Sequence, residues 1–319
     1  MTEIVVTAPA RLHFGILDPA GTGARRFGGC GVAVESPRVI VAVRSRSDPE
    51  VTGSGPQGER AAAFARRAQA AFRHRGGIEV DVREAIPPHA GLGSGTKLGL
   101  AVALGVAELA GVSAGPQQLA DASGRGARSS VGCWTFAAPG LVVEAGVRDE
   151  RWISPLVARH PMPERWRCVL ALPREGEGLS GDAEERFFAR LHDRGSEEPS
   201  VCRLVLTALL PGLVTGNIEE FGAALSEIQR EIGSMFAAQQ RGVFHPRAAP
   251  VVEALHALGV GAVGQSSWGP TVYGIVDGPE RAAEVADRLR DVLRAEADVQ
   301  VVDFDRRGAS VAREGQAAA

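Results

Sequence analysis

Pro87 and Pro88, then Gly91, Gly93 and Gly95 within five positions, then an apolar run closed by Gly111, make residues 87–111 (PPHAGLGSGTKLGLAVALGVAELAG) the most restrictive stretch of the chain. Paired prolines bar a helix and hold the backbone extended. Residues 78–83 just upstream alternate as a strand does, while Leu98, Val102, Val106 and Leu109 recur on one helical face. A strand feeding a glycine turn at the start of a long helix demands a mixed α+β fold. The spacing is not the dinucleotide fingerprint, and Thr96 separates Gly95 from Lys97, which breaks a Walker A loop. Two readings of Gly91, Gly93, Ser94, Gly95 and Thr96 remain: an ordinary turn, or a helix start whose free N–H groups and dipole favour a phosphate or diphosphate. Lys97 bears on this choice, because it is the only lysine in a chain whose Lys+Arg total is 35.

Around this loop the chain reads as two lobes. Strands are expected at 3–8, 31–35 and 39–43, the last two joined through Ser36-Pro37, with a helix at 57–75. Proline and polar residues near 155–165 mark a boundary, giving an N-terminal lobe 1–155 and a C-terminal lobe 156–305. The second lobe opens on a strand at 168–172. Helices follow near 183–193, 201–210, 218–240 and 248–258, then a strand pair at 261–265 and 271–276, a helix at 279–295 and a strand at 299–304. Residues 306–319 read as a disordered tail.

The 319 residues carry a net charge of −3 with no long basic block, which excludes the electrostatic footprint of a nucleic-acid binder. No secretory segment or twenty-residue apolar run appears, so a cytoplasmic protein away from membranes is expected. Cys30, Cys133, Cys168 and Cys202 have no CxxC pairing and read as buried free thiols.

Two further stretches carry candidate chemistry. Arg11 and His13 in ARLHFG, then Asp18, then Arg25, Arg26 and Phe27 before two glycines, place clustered guanidiniums at the mouth of a strand. That suits planar recognition of a carboxylate or phosphate. Gln265, Ser266, Ser267, Trp268 and Thr271 sit in the turn of a strand pair, where a ring-binding pocket is expected. His245 and His256 lack metal-ligand spacing. Asp182, Glu184 and Glu185 read as helix-dipole carboxylates.

Together APARLHFG, PPHAGLGSG and the late hairpin resemble the GHMP small-molecule kinase superfamily, which implies an S5-like N-terminal lobe and a ferredoxin-like C-terminal lobe. The kinase pattern usually ends GLGSSA where this chain has GLGSGT, so Gly95 cannot ligate magnesium through a side chain. It also places an aspartate base where this chain has Ser129 and Ser130 within GARSSVGCW. ARLHFGILD, RRFGG, GLGSGT, the segment 124–126, EGLSGD and GQSSWGPTVYG are more similar to the β-ribofuranosylaminobenzene 5'-phosphate synthase branch. That resemblance implies condensation of phosphoribosyl diphosphate (PRPP) with 4-aminobenzoate or 4-hydroxybenzoate, loss of diphosphate and carbon dioxide, and a C-riboside for methanopterin-type cofactors. It further implies Mg2+ carried on the diphosphate with Asp18 as a protein ligand, and a homodimer. Lys97, Arg11 and His13 are the expected catalytic residues. The remaining loop, arginine, serine and hairpin residues are expected to bind substrate, with Phe27 or Trp268 stacking the ring. Alternatives are a C-nucleoside synthase taking a heteroaromatic acid, an ATP-dependent kinase and a non-catalytic sensor.

Overall fold

The computed structural model describes residues 3–21, 23–148, 153–179, 181–194 and 200–314. β1 (Glu3–Gly15) and β2 (Gly29–Arg46) form a long antiparallel pair in the first lobe. Sequence reading splits β2 at Ser36-Pro37. The structure keeps one strand and absorbs the proline at a register shift between Pro9 and Ala10 of β1. β3 (Val51–Ser54), α1 (Gly58–Ala71) and β4 (Gly77–Glu84) make a parallel crossover, and β4 joins the far half of β2. α2 (Ser94–Leu109), α3 (Pro116–Ser123) and α4 (Val131–Ala137) follow, with α2 and α4 packed on β1 and β2.

β5 (Leu141–Glu144) pairs with the near half of β2, and β6 (Leu156–His160) pairs with β5. The first lobe therefore runs to His160, past the boundary expected at 155. Proline-rich composition marks the chain's exit from this sheet, but β6 lies inside that composition and alternates partly buried and exposed residues.

The second lobe is a four-stranded sheet in the order β10-β7-β9-β8, built from β7 (Trp166–Pro173), β8 (Ala262–Gln265), β9 (Val272–Asp277) and β10 (Ala297–Val302). Its helices are α5 (Gly181–Arg194), α6 (Val201–Leu204) running through a π-helical turn into α7 (Leu210–Thr215), α8 (Ile218–Gln240), α9 (Ala249–Ala257) and α10 (Pro279–Leu293). Asn217 caps α8 by accepting from the backbone N–H of Glu219 and Glu220, both at 3.1 Å. That cap fixes the rotation of a helix whose Phe221, Leu225, Ile228 and Phe236 are buried.

The tail departs from expectation. Asp305 accepts from Arg307 N and Gly308 N, turning the chain so that β11 (Ser310–Glu314) pairs antiparallel with β1. Its side chains are exposed, so the strand is held by backbone pairing and by ion pairs such as Arg313 to Glu108 at 2.9 Å, which composition does not display. Residues 315–319 lie outside the described residues.

One core is shared by both lobes, and a second packs α9 and α10 on the sheet of the second lobe. Phe14, at the end of β1, meets Tyr273 of β9 at 5.2 Å and Phe221 of α8 at 6.3 Å between ring centroids. Full burial of such a ring contributes about 1.5–3 kcal/mol, so the lobes are joined by packing as well as by chain. Cys30, Cys133 and Cys168 are buried as expected, whereas Cys202 is exposed.

Candidate active site

The three stretches singled out by sequence meet where the lobes join. The Gly91 carbonyl accepts from Arg11 Nη1 and from Ser266 Oγ at 2.7 Å. Ser266 Oγ in turn accepts from His13 N at 3.0 Å, and Ser267 N donates to His13 O at 3.3 Å. The glycine loop, the ARLHFG strand and the late hairpin are thus one hydrogen-bonded unit.

That union consumes several residues expected to hold substrate. Ser266 is fully buried and spent on the loop. Gln265 Oε1 accepts from His245 N at 2.6 Å, while its Nε2 donates to Gln240 Oε1 at 3.2 Å and Ser267 O at 3.0 Å. Thr271 is fully buried. Ser130 Oγ donates to Gly126 O and accepts from Ser154 N, so it too is internal.

What these bonds surround is an aromatic-walled cavity of about 90 Å³, lined by residues including Arg11, His13, Phe27, Arg128, Ser129, Glu184, Phe188, Phe236, Ser267 and Trp268. Trp268 stacks on Phe236 with centroids 4.1 Å apart and planes 15° apart, and meets Phe187 edge-on at 5.0 Å. One indole face is therefore already covered. Phe27 meets Phe188 edge-on at 5.4 Å across the wall.

Arg11 is the deepest cation of this cavity, and burial draws its guanidinium down to about 10. Burial first, and the Arg11 charge second, hold His13 at about 3, so its imidazole is neutral at working pH. His13 Nε2 lies 3.0 Å from Ser129 Oγ. His13, expected as a catalytic residue, therefore offers the site a hydrogen bond and no positive charge.

Arg25 Nη1 donates to Gly146 O at 3.0 Å, Arg26 lies exposed over the ring of Phe27, and neither lines the cavity. Asp18 Oδ1 accepts from Gly21 N at 2.7 Å and Oδ2 from Gly23 N at 2.9 Å, so the carboxylate closes its own loop. Among the described residues no three His, Cys, Asp or Glu side chains gather where a metal ion could be held. These residues do not fit a protein-built magnesium site.

Lys97 also departs from expectation. It is fully buried between α2 and α4, its Nζ donates to Thr135 Oγ1 at 3.0 Å, and it does not line the cavity. Burial, then Arg11, lowers its ammonium from 10.5 to about 7. The unfolded chain therefore binds the extra proton between pH 7 and 10.5, and stability rises with pH across that window. The slope is up to about 1.4 kcal/mol per pH unit. Thermal unfolding of Lys97→Met beside the parent should show the variant's relative advantage shrinking from pH 7 to 10. Parallel curves would mean that Lys97 is not buried as a strained cation.

Arg128 and Glu184 were not among the expected site residues. Glu184 Oε1 accepts from Trp268 Nε1 at 3.0 Å, and Oε2 pairs with Arg128 at 3.2 Å, so a residue read as a dipole carboxylate braces the cavity wall. Its signal was available: Glu184, Phe187 and Phe188 stand at i, i+3 and i+4 of α5, one face of a helix. Arg128 directly precedes the expected Ser129, and that adjacency is its signal in the sequence.

Residues 59–134 match the family GHMP kinases N terminal domain, and residues 209–295 match GHMP kinases C terminal. The chain is 30% identical over 314 residues to beta-ribofuranosylphenol 5'-phosphate synthase of Methanothermobacter thermautotrophicus, covering 91% of this chain and 93% of that one. It is 32% identical to the protein of the same name from Archaeoglobus fulgidus, covering 89% and 90%. The chain belongs to the β-ribofuranosylphenol 5'-phosphate synthase family of the GHMP kinase superfamily. Its fold is also that of homoserine kinase from Cytophaga hutchinsonii (TM-score 0.71, 17% identity, 97% of each chain) and of mevalonate diphosphate decarboxylase from Staphylococcus aureus (TM-score 0.64, 12% identity, 98% of each).

The Gly95 departure changes what lies beside the loop. A Cβ at position 95 would meet Nη2 of Arg60, the far end of a flexible side chain, so a larger residue there moves the guanidinium and is not barred. A serine there, as in the kinase pattern, would displace Arg60.

Proposed function

We propose that the protein joins C1 of PRPP to the carboxylate-bearing ring carbon of 4-hydroxybenzoate or 4-aminobenzoate, making a C-riboside 5'-phosphate. The observation that carries this reading is the cavity: a ring-sized aromatic enclosure with half-buried Arg11 on its lining, hydrogen-bonded to the glycine loop. The family relatives support it by name, and the phenol in that name favours the 4-hydroxy acid.

The C1–O bond of PRPP breaks with its electron pair leaving on diphosphate. The ring carbon then bonds to C1, the carboxyl bond breaks, its pair restores the aromatic ring, and carbon dioxide departs. Aromatic walls hold the ring in place, which contributes by orientation. Fixed cations stabilise charge where it develops on the leaving group. Glu184 has both oxygens engaged, so it holds Trp268 and Arg128 in place rather than standing free as a base. Neutral His13, bonded to Ser129, adds no positive charge beside the oxocarbenium-like centre. Magnesium belongs here to the diphosphate as substrate, and a cytoplasmic homodimer is part of the same reading.

Carboxyl-labelled 4-hydroxybenzoate and 4-aminobenzoate should each be tried with PRPP and magnesium. One labelled carbon dioxide per diphosphate is expected from at least one acid, with ATP unable to replace PRPP. In deuterated water the product ring should stay free of deuterium, because the sugar replaces the carboxylate directly. Carbon dioxide without PRPP, diphosphate without carbon dioxide, or ADP from ATP would each overturn the reaction. Turnover of a heteroaromatic acid alone would overturn the acceptor.

A further inference from the structure

A second constellation lies on the other side of the glycine loop from the aromatic cavity. Arg60, Phe64 and Arg67 stand at i, i+4 and i+7 on one face of α1. Arg125, just beyond α3, lays its guanidinium 5.0 Å from the Phe64 ring centroid, and that of Arg60 lies 5.9 Å from it. Arg60 lies beside Gly95 at the start of α2, and Arg67 beside Gly124, each in the space a Cβ would take.

Four guanidiniums gather here, and of these Arg128 is paired, with Glu184 at 3.2 Å. The charged arginines acting on Arg125 are Arg60, Arg67 and Arg128, and among the described residues no carboxylate acts on it. Burial first, then those three charges, hold its guanidinium below the ordinary range. Arg60 Nη1 donates to the neutral amide of Gln57 at 3.2 Å. Arg125 Nε and Arg128 Nη1 are buried without a hydrogen-bond partner. Buried donors left unpaired are costly, and like charges held together raise that cost. An anion would satisfy both.

We infer that Arg60, Arg67, Arg125 and Arg128, with the start of α2, form the seat of the substrate's diphosphate group. This rests on the reaction proposed above. Arg128 fixes the polarity, since it lines the aromatic cavity and also acts on Arg125. The reacting C1 then lies at Arg128, with the acceptor ring on one side and the leaving group on the other. Of the two anionic ends of PRPP, the diphosphate carries the greater charge and more oxygens, which suits several forked donors better than the 5'-phosphate does.

The test is calorimetric titration of inorganic diphosphate and, separately, of ribose 5-phosphate into the full chain, Arg60→Gln and Arg125→Gln. Each substitution should weaken diphosphate about tenfold or more and leave ribose 5-phosphate within about twofold. Arg60→Lys should recover part of the loss. Circular dichroism and thermal unfolding check the fold. Should Arg125→Gln fail to fold, the less buried Arg60 decides the matter. Unchanged diphosphate affinity, or a loss equal or greater for ribose 5-phosphate, would overturn the assignment. Arginine-dependent diphosphate binding in a protein that releases no carbon dioxide from the aromatic acids would keep the site and remove the reaction.

Discussion

Arg11→Met should fold and lose about a hundred- to a thousandfold in kcat/KM, while Arg11→Lys should keep part of the activity. Removing the charged donor that orients the acceptor ring costs about 2.7–4 kcal/mol, since misplacement of about 1 Å alone loses about a hundredfold. Arg11 meets that description because its half-buried guanidinium lines the aromatic cavity and is fixed by donating to the Gly91 carbonyl. Its stem also fills the space over Gly93, where a Cβ would lie 3.1 Å from Arg11 Cγ. One side chain therefore supplies charge to the cavity and shape to the loop. Lysine replaces the charge but not the planar fork, so it should restore binding better than it restores turnover. Steady-state kinetics in both substrates, read beside thermal unfolding, separate the two roles. Turnover within about fivefold of the parent at saturation would remove Arg11 from the site.

How far the sequence disclosed this site depends on the kind of force involved. Local backbone constraints were legible: Pro87 and Pro88 force the extended approach, and Gly91, Gly93 and Gly95 announce the turn before α2. So were helical periodicities, and α8 occupies the expected 218–240. Side-chain direction was not. Lys97 sits in the first turn of α2, yet the rotation of that helix on the sheet aims it at Thr135 instead of solvent. Pairing partners distant in sequence were equally hidden, as with Glu184 to Trp268, β11 to β1, and Gln265 to His245. A serine or glutamine in a glycine-rich hairpin looks the same whether it binds a ligand or a neighbouring loop. Here Ser266 binds the neighbouring loop, and Gln265, which lines the cavity beside Phe27, Arg11, Arg128 and Ser129, spends its amide on His245, Gln240 and Ser267.

The joint that closes the site should fail at a single methyl group. Gly91 has φ +77°, a conformation costly to any residue with a Cβ. A Cβ there would collide with the Ser266 carbonyl and lie 3.1 Å from that of Gly269. Both obstacles are backbone, so neither can swing aside as a flexible side chain would. Gly91→Ala should therefore push the loop off the hairpin, costing about 2–4 kcal/mol from left-handed strain and overpacking together. At roughly 2–4 °C per kcal/mol for a chain of this class, the unfolding midpoint should drop by roughly 5–15 °C. Activity should fall further than stability does, by about a hundredfold at a temperature where the variant is fully folded. The same displacement moves the Gly91 carbonyl that orients Arg11, and misplacement of about 1 Å is enough for such a loss. Ser266→Ala is the control, because it deletes the hydroxyl bridging Gly91 O and His13 N without adding an atom. It should cost about 1–3 kcal/mol and less activity than Gly91→Ala. Parent-like melting and turnover in Gly91→Ala would show that the glycine loop and the hairpin do not touch in the working protein, and the site would have to be rebuilt without that contact.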